Sequence, residues 1–217
     1  MPLLGHLIME KTKFYVPSMY LRKFSGEFNV SVDTFLEIVD DMKETTPAVE
    51  MLVAESDLVD YTKRLEEIYD ATVEQGVSLP IVRIATPSLF ANDEGTKSVE
   101  KDLEKFLSRL GGLFGELPVQ LETMSAWQVY EMRNETVINP DKIPVGYKYS
   151  VYADCVLTTI INFCALCTRV GLVPVIEPRV GHVISSPDSI ALIAARYENV
   201  PFKVVFDVTH MEFQGIN

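Results

Sequence analysis

Apolar positions recur along the chain with two periods, about 3.6 and 2, and the switches between them mark the predicted elements. Ser31 offers an N-cap, and Phe35, Ile38, Val39 and Met42 follow at helical spacing with acidic residues opposite. Thr46-Pro47 restarts a helix with the short stripe Val49, Leu52 and Val53. A second stripe, Leu58, Tyr61, Leu65, Ile68 and Tyr69, runs on to Gly76. Residues 77–85 read as a strand and 86–97 as a polar loop. Ser98 then caps a helix whose apolar side is Val99, Leu103, Phe106, Leu107 and Leu110, stopped by Gly111-Gly112. Residues 117–122 alternate as a strand. Residues 124–133, with Trp127, Val129, Tyr130 and Met132, fit neither period, and 134–146 are a turn-rich connection.

The least charged third, 146–213, organises the rest. Its pattern predicts a strand over 147–154, a buried helix over 155–169 closed by Gly171, and strands over 172–180 and 202–213. Strand, helix, strand at that spacing is a crossover unit on a sheet. Ser186-Pro-Asp-Ser favours a helix over 187–197, although the same apolar run could pair with 202–213 as a hairpin. The class is α/β, a mixed sheet with an apolar crossover helix and amphipathic N-terminal helices; α+β is the other class this pattern allows. The domain reading is an aromatic N-terminal arm over 1–28 and one α/β domain over 29–217, with a helical elaboration at 31–76.

Composition adds limits. With 217 residues, 47% hydrophobic and 23% charged, the chain is long enough to bury a real core and has globular proportions. Its net charge of −12 is uneven: residues 27–74 hold 14 acidic and 3 basic side chains. Such a surface repels phosphate backbones, which excludes nucleic acid as the main partner. Cys155, Cys164 and Cys167 cluster in one apolar segment, which implies a reducing compartment and, for Cys164 and Cys167, packing roles. No run of 18 apolar residues occurs and the start lacks a cationic leader region, so neither a membrane partner nor a secretory signal is expected. The expected location is the cytoplasm of the producing cell, or the virion if the chain is phage-encoded.

Chemistry is sparse at the level of local motifs. Glu177 and Arg179 flank Pro178 where an apolar strand ends, and alternation puts both on one face. Ends of strands are where open α/β sheets place ligands. His182 follows closely, and Asp207 and His210 sit on the last strand, but no spacing is diagnostic of a metal, and no cofactor is expected. There is no phosphate loop or nucleophile elbow. Glu177-Pro-Arg-Val resembles the Glu-Pro-Arg motif of the sheath-initiator (baseplate wedge) family of contractile phage tails, although that family's upstream signature is absent. The resemblance implies a structural role. Gly171-Leu-Val-Pro-Val-Ile-Glu-Pro is similar to a segment of class I fructose-bisphosphate aldolases, which implies an acid/base role for Glu177 beside a Schiff-base lysine. No later segment matches that family's lysine motif.

The expectation is therefore a non-enzymatic assembly protein that pairs with copies of itself and with neighbouring proteins, as a tail, neck or baseplate component of a phage virion. Its interface candidates are Glu177, Arg179, His182, Phe14, Tyr15 and Tyr20, with the loops 86–97 and 134–146. The alternative is an aldolase-like lyase or a small-molecule-binding α/β domain using Glu177.

Overall fold

A computed structural model describes residues 16–17, 30–42, 48–91, 94–137, 144–205 and 207. Six strands lie side by side in chain order: β1 (Val16–Pro17), β2 (Val49–Ala54), β3 (Val82–Ala85), β4 (Pro118–Leu121), β5 (Val173–Ile176) and β6 (Lys203–Val204). All five pairings are parallel. Parallel neighbours need crossovers, and six helices supply them: α1 (Val32–Met42), α2 (Leu58–Gln75), α3 (Glu94–Phe114), α4 (Ala126–Asn134), α5 (Tyr149–Arg169) and α6 (Pro187–Arg196). Right-handed crossovers in an unreversed strand order put each helix on the same face. A doubly wound sheet instead reverses its order at a switch point and covers both faces. The arrangement here is that of a (β/α) barrel wall, with helices outside and the other face of the sheet turned inward.

The outer face holds the main core. Met51, Val53, Val82, Ile84, Val119, Leu121 and Ile176 are buried in one cluster with Tyr61, Leu65 and Ile68 of α2, Phe106 and Leu107 of α3, and Val156 and Phe163 of α5. Each large side chain so buried contributes about 1.5–3 kcal/mol relative to exposure. By length and composition α5 could cross a bilayer. Here its Val156, Ile160, Phe163, Cys164 and Cys167 are buried in the same cluster, so it serves as a core helix.

The α/β class and the apolar crossover helix are as the pattern implies, and 187–197 takes the helical alternative, closed at its start by a Ser186/Ser189 capping box. Three readings change. Residues 49–53 form a strand rather than a helical stripe, so 31–76 supplies part of the sheet and is not an appended helical elaboration. A fully buried parallel strand is apolar nearly throughout, and its Val49, Leu52 and Val53 mimic helical spacing by chance. Residues 149–154 are the first turns of α5 and not a strand. The aromatic alternation there serves a cluster in which Tyr147 stacks on Tyr152 and both meet Tyr130 edge-on. Gly111-Gly112 lies inside α3, which continues to Phe114. Residues 126–134, unassigned by period, form α4 behind a Ser125/Gln128 capping box.

Gly111 is where α3 meets the end of α5. A Cβ added at Gly111 would run into the backbone carbonyl of Val170, which has no side-chain freedom with which to yield, whereas one at Gly112 would meet nothing. Gly111→Ala is expected to lower the urea midpoint by the equivalent of about 1–3 kcal/mol. Gly112→Ala should be neutral or raise it by up to about 1 kcal/mol. Burial also pushes the Cys164 thiol up to about 12 and Cys167 further in the same direction. Alkylation of the native chain at pH 8 should leave both thiols unmodified, as read by mass spectrometry of tryptic peptides.

Candidate active site at the strand ends

Leu52, Arg83, Gln120 and Val175 are register partners across β2 to β5. Parallel partners point to the same side, and so do positions two residues along. The inward face therefore carries Glu50, Arg83, Gln120, Glu122 and Glu177, with Arg179 beyond the end of β5. These side chains converge. Gln120 Nε2 donates to Glu177 Oε2 at 2.6 Å, and Arg179 Nε donates to the same oxygen at 3.0 Å. Arg179 also forks onto Glu122, with Nη1 2.5 Å from Oε2 and Nη2 3.1 Å from Oε1. Arg83 lies deeper. Its Nε is 2.5 Å from Glu50 Oε1, while Nη1 is 3.6 Å from Glu122 Oε1 and 3.5 Å from Glu177 Oε2.

The cluster is layered by depth. The Glu50 and Glu177 side chains are 2% and 1% exposed, those of Glu122 and Arg179 20% and 22%. Glu177 Oε1 is buried without a hydrogen-bond partner among the described residues. Burial pushes Glu50 up to about 7; the Arg83 charge opposes this, and Glu122 and Glu177 reinforce it. Burial likewise raises Glu122, against the pull of Arg179 and Arg83.

The loop after β5 brings His182 to the same edge. Arg179 N–H donates to Ile184 O at 2.8 Å and His182 N–H to Arg179 O at 3.0 Å, a tight turn that needs Gly181 at φ 80°. His182 Nδ1 then lies 2.7 Å from Thr123 Oγ1, one residue beyond Glu122. A second contact ties the ends of β2 and β3, where Ser88 donates its N–H and Oγ–H to Glu55 at 3.0 and 2.5 Å.

Of the residues singled out from sequence, Glu177, Arg179 and His182 come together. Asp207 is half-buried just beyond β6. His210, Phe14, Tyr15 and Tyr20 lie outside the described residues, as does nearly all of the arm. Glu50, Arg83, Gln120, Glu122 and Thr123 were not anticipated. The signal was available in β3 and β4, where Arg83, Gln120 and Glu122 take every second place among Val82, Ile84, Val119 and Leu121. A polar residue at alternate positions of an otherwise buried strand points into the second face.

Among the described residues the ionic partners of Glu177 are two guanidinium groups and not a lysine amine. A divalent cation needs several converging oxygen or nitrogen ligands. Among the described residues no three His, Cys, Asp or Glu side chains are placed to hold one, and the carboxylates here are already paired with arginine. The described residues thus do not compose a metal centre.

No family model and no curated protein sequence matches the chain. Solved structures do. A D-psicose 3-epimerase, determined in the presence of D-fructose, matches with a TM-score of 0.60 at 16% identity over 84% of this chain and 61% of that one. A probable 3-DHS dehydratase of petrobactin synthesis from Bacillus anthracis gives 0.61 at 11% identity, over 94% and 65%. A 3-keto-D-glucoside 4-epimerase from E. coli gives 0.61 at 18%, over 86% and 68%. The chain thus spans about three fifths of the length of the first of these, and at such identities the likeness carries the fold alone. This fold likeness counts against the expectation of a virion assembly component: the structures it reaches are named as two epimerases and a probable dehydratase.

In the folded chain Glu50 keeps its proton to about pH 7, whereas an ordinary glutamate loses it near 4.5. The folded state therefore binds more protons across that window, and stability falls as pH rises through it and levels off above. The slope from one such group is at most about 1.4 kcal/mol per pH unit. Urea titrations between pH 4.5 and 8 should show this decline, and Glu50→Gln should remove its Glu50 share. An identical pH dependence in the variant would contradict the assignment.

Proposed function

We propose that the protein is an enzyme that binds a small polyhydroxylated molecule at the strand-end edge of its sheet and moves protons on it by general acid–base catalysis. The observation that carries this reading is the convergence of Glu122, Glu177, Arg179 and His182 just past the ends of β4 and β5. Active sites of (β/α) barrels are built at that face from the ends of several strands. The groups are those such chemistry uses: a carboxylate with one oxygen held and the other without a protein partner, an imidazole oriented by a hydroxyl, and a guanidinium that can bind oxygen.

In this reading the roles divide by depth. Gln120 and Arg179 fix Glu177 Oε2, which leaves Oε1 to accept a hydrogen from a bound hydroxyl or a proton from carbon. Thr123 orients His182 as the second acid–base group. Arg179, partly exposed, is the first cation an incoming molecule meets. The epimerase and dehydratase activities named for the structural neighbours support the substrate class, sugars and related hydroxy-carbonyl compounds.

The test is proton exchange. The full chain is incubated in D2O with a panel of ketoses, 3-keto-glycosides and cyclic hydroxy-ketones, and deuterium incorporation next to the carbonyl is followed by NMR. At least one member should exchange, and Glu177→Gln should slow it by about 10²–10⁴-fold, the usual worth of a positioned acid–base group. No exchange across the panel, or an undiminished rate in the variant, would overturn the reading.

A further inference from the structure

Arg83 and Glu50 lie below the strand-end groups, and neither is needed to form the exposed edge. Arg83 is nonetheless central by contact. One end of its guanidinium meets Glu50 on β2, and the other lies between Glu122 and Glu177 at nearly equal distances. The Nε contact with Glu50 is a close ion pair and not a directed hydrogen bond, so charge and the planarity of the fork together set where Nη1 lies. We propose that Glu50 and Arg83 are a positioning pair for the site: Glu50 holds the guanidinium in place, and the guanidinium sets the spacing and charge of Glu122 and Glu177. The assignment rests on the reading of that edge as the active site.

Charge counting gives the pair a second consequence. Among the described residues three carboxylates, Glu50, Glu122 and Glu177, share two guanidinium groups, Arg83 and Arg179, so full ionisation of these five leaves one negative charge in excess. Sealing an uncompensated charge away from water is costly, so the cluster retains a proton instead. The groups facing Glu50 are Arg83 from β3, Glu122 from the end of β4, and Glu177 and Arg179 from the end of β5. With the proton on Glu50, that carboxyl makes no claim on the Arg83 charge that the two upper carboxylates share. As Glu50 ionises it takes part of that charge away. The state of the site therefore follows a carboxyl that an incoming molecule does not touch.

Carboxyl titration tests this without any substrate. The full chain is labelled at the glutamate side-chain carboxyl carbon, signals are assigned through single Glu→Gln variants, and each is followed by NMR from pH 4 to 9. Glu50→Gln should abolish one transition near pH 7 and, with it, the inflection that Glu50 ionisation imposes on the Glu122 signal in the same range, as expected for groups that titrate together. Arg83→Met should move Glu122 to higher pH, and Arg83→Lys, which keeps the charge but loses the fork, should give a smaller rise. If Arg83→Met fails to fold by circular dichroism, the Glu50→Gln and Arg83→Lys titrations decide the matter. A Glu122 signal with no inflection near pH 7 in the parent chain, one that keeps the inflection in Glu50→Gln, or a Glu122 transition that stays in place in Arg83→Lys would overturn the proposal. Because no turnover is measured, a normal coupling in a chain inactive towards the substrate panel would retain the linkage and sink the enzymatic reading alone.

Discussion

A guanidinium placed among three carboxylates on the inner face of a parallel sheet is the contact on which the rest of the site depends. Arg83 is the one cation that touches Glu50, Glu122 and Glu177 together among the described residues. Removing charges from water costs several kcal/mol per ion, and mutual attraction repays it only where geometry and further hydrogen bonds are good. Here the repayment comes from three strands at once, with the Gln120 amide and the Arg179 fork adding donors from the outer side. An apolar filling would serve stability as well or better. Stability alone therefore does not account for the network, and in the proposed reading it serves to place Glu177 and Glu122.

That network is available only because of how the sheet is wound. Strand order without reversal sends the helices to one side, and the side left over is free to carry polar groups. The two faces divide the labour along each strand. Val82 and Ile84 enter the core with α2 and α3, and Arg83 between them enters the charge cluster. Val119 and Leu121 do the same around Gln120. Shifting a strand by one residue would exchange the two sets, burying charges under helices. The charge pattern thus fixes register as firmly as the apolar pattern does.

Legibility in the sequence followed the same division. The helical stripes of α2 and α3 face one core and have one period, so they were readable. So was the strand, helix, strand order of the last third, and the position of Glu177 and Arg179 past a strand end drew attention without the structure. The stretch 49–54 was misread because β2 is apolar on both faces, with only Leu52 and Ala54 partly exposed. Its one polar residue, Glu50, looks like a member of the acidic surface that surrounds it in sequence. The assembly reading failed for a related reason. It treated the lack of a local catalytic motif as evidence against catalysis, yet a barrel gathers its site from strands some 30–60 residues apart, one or two residues from each. Glu50, Arg83, Gln120 and Glu177 form no motif in sequence and one cluster in space.

The difference in depth within the cluster also separates what can move from what cannot. Ion pairs open to water are worth about 0–1 kcal/mol, whereas breaking a sealed pair costs about 3–5 kcal/mol. The Arg179–Glu122 fork is partly exposed and belongs nearer the first class, and Glu50–Arg83 belongs to the second. In the proposed reading a hydroxyl-rich molecule arriving at the edge takes over donors from the Arg179–Glu122 fork, while Gln120 and Arg83 keep Glu177 where it was. Binding then rearranges the outer layer and leaves the spacing of the reacting groups to the inner one. A site organised in this way is pre-set from below and adaptable from above, and the adaptable part is the part that meets the ligand.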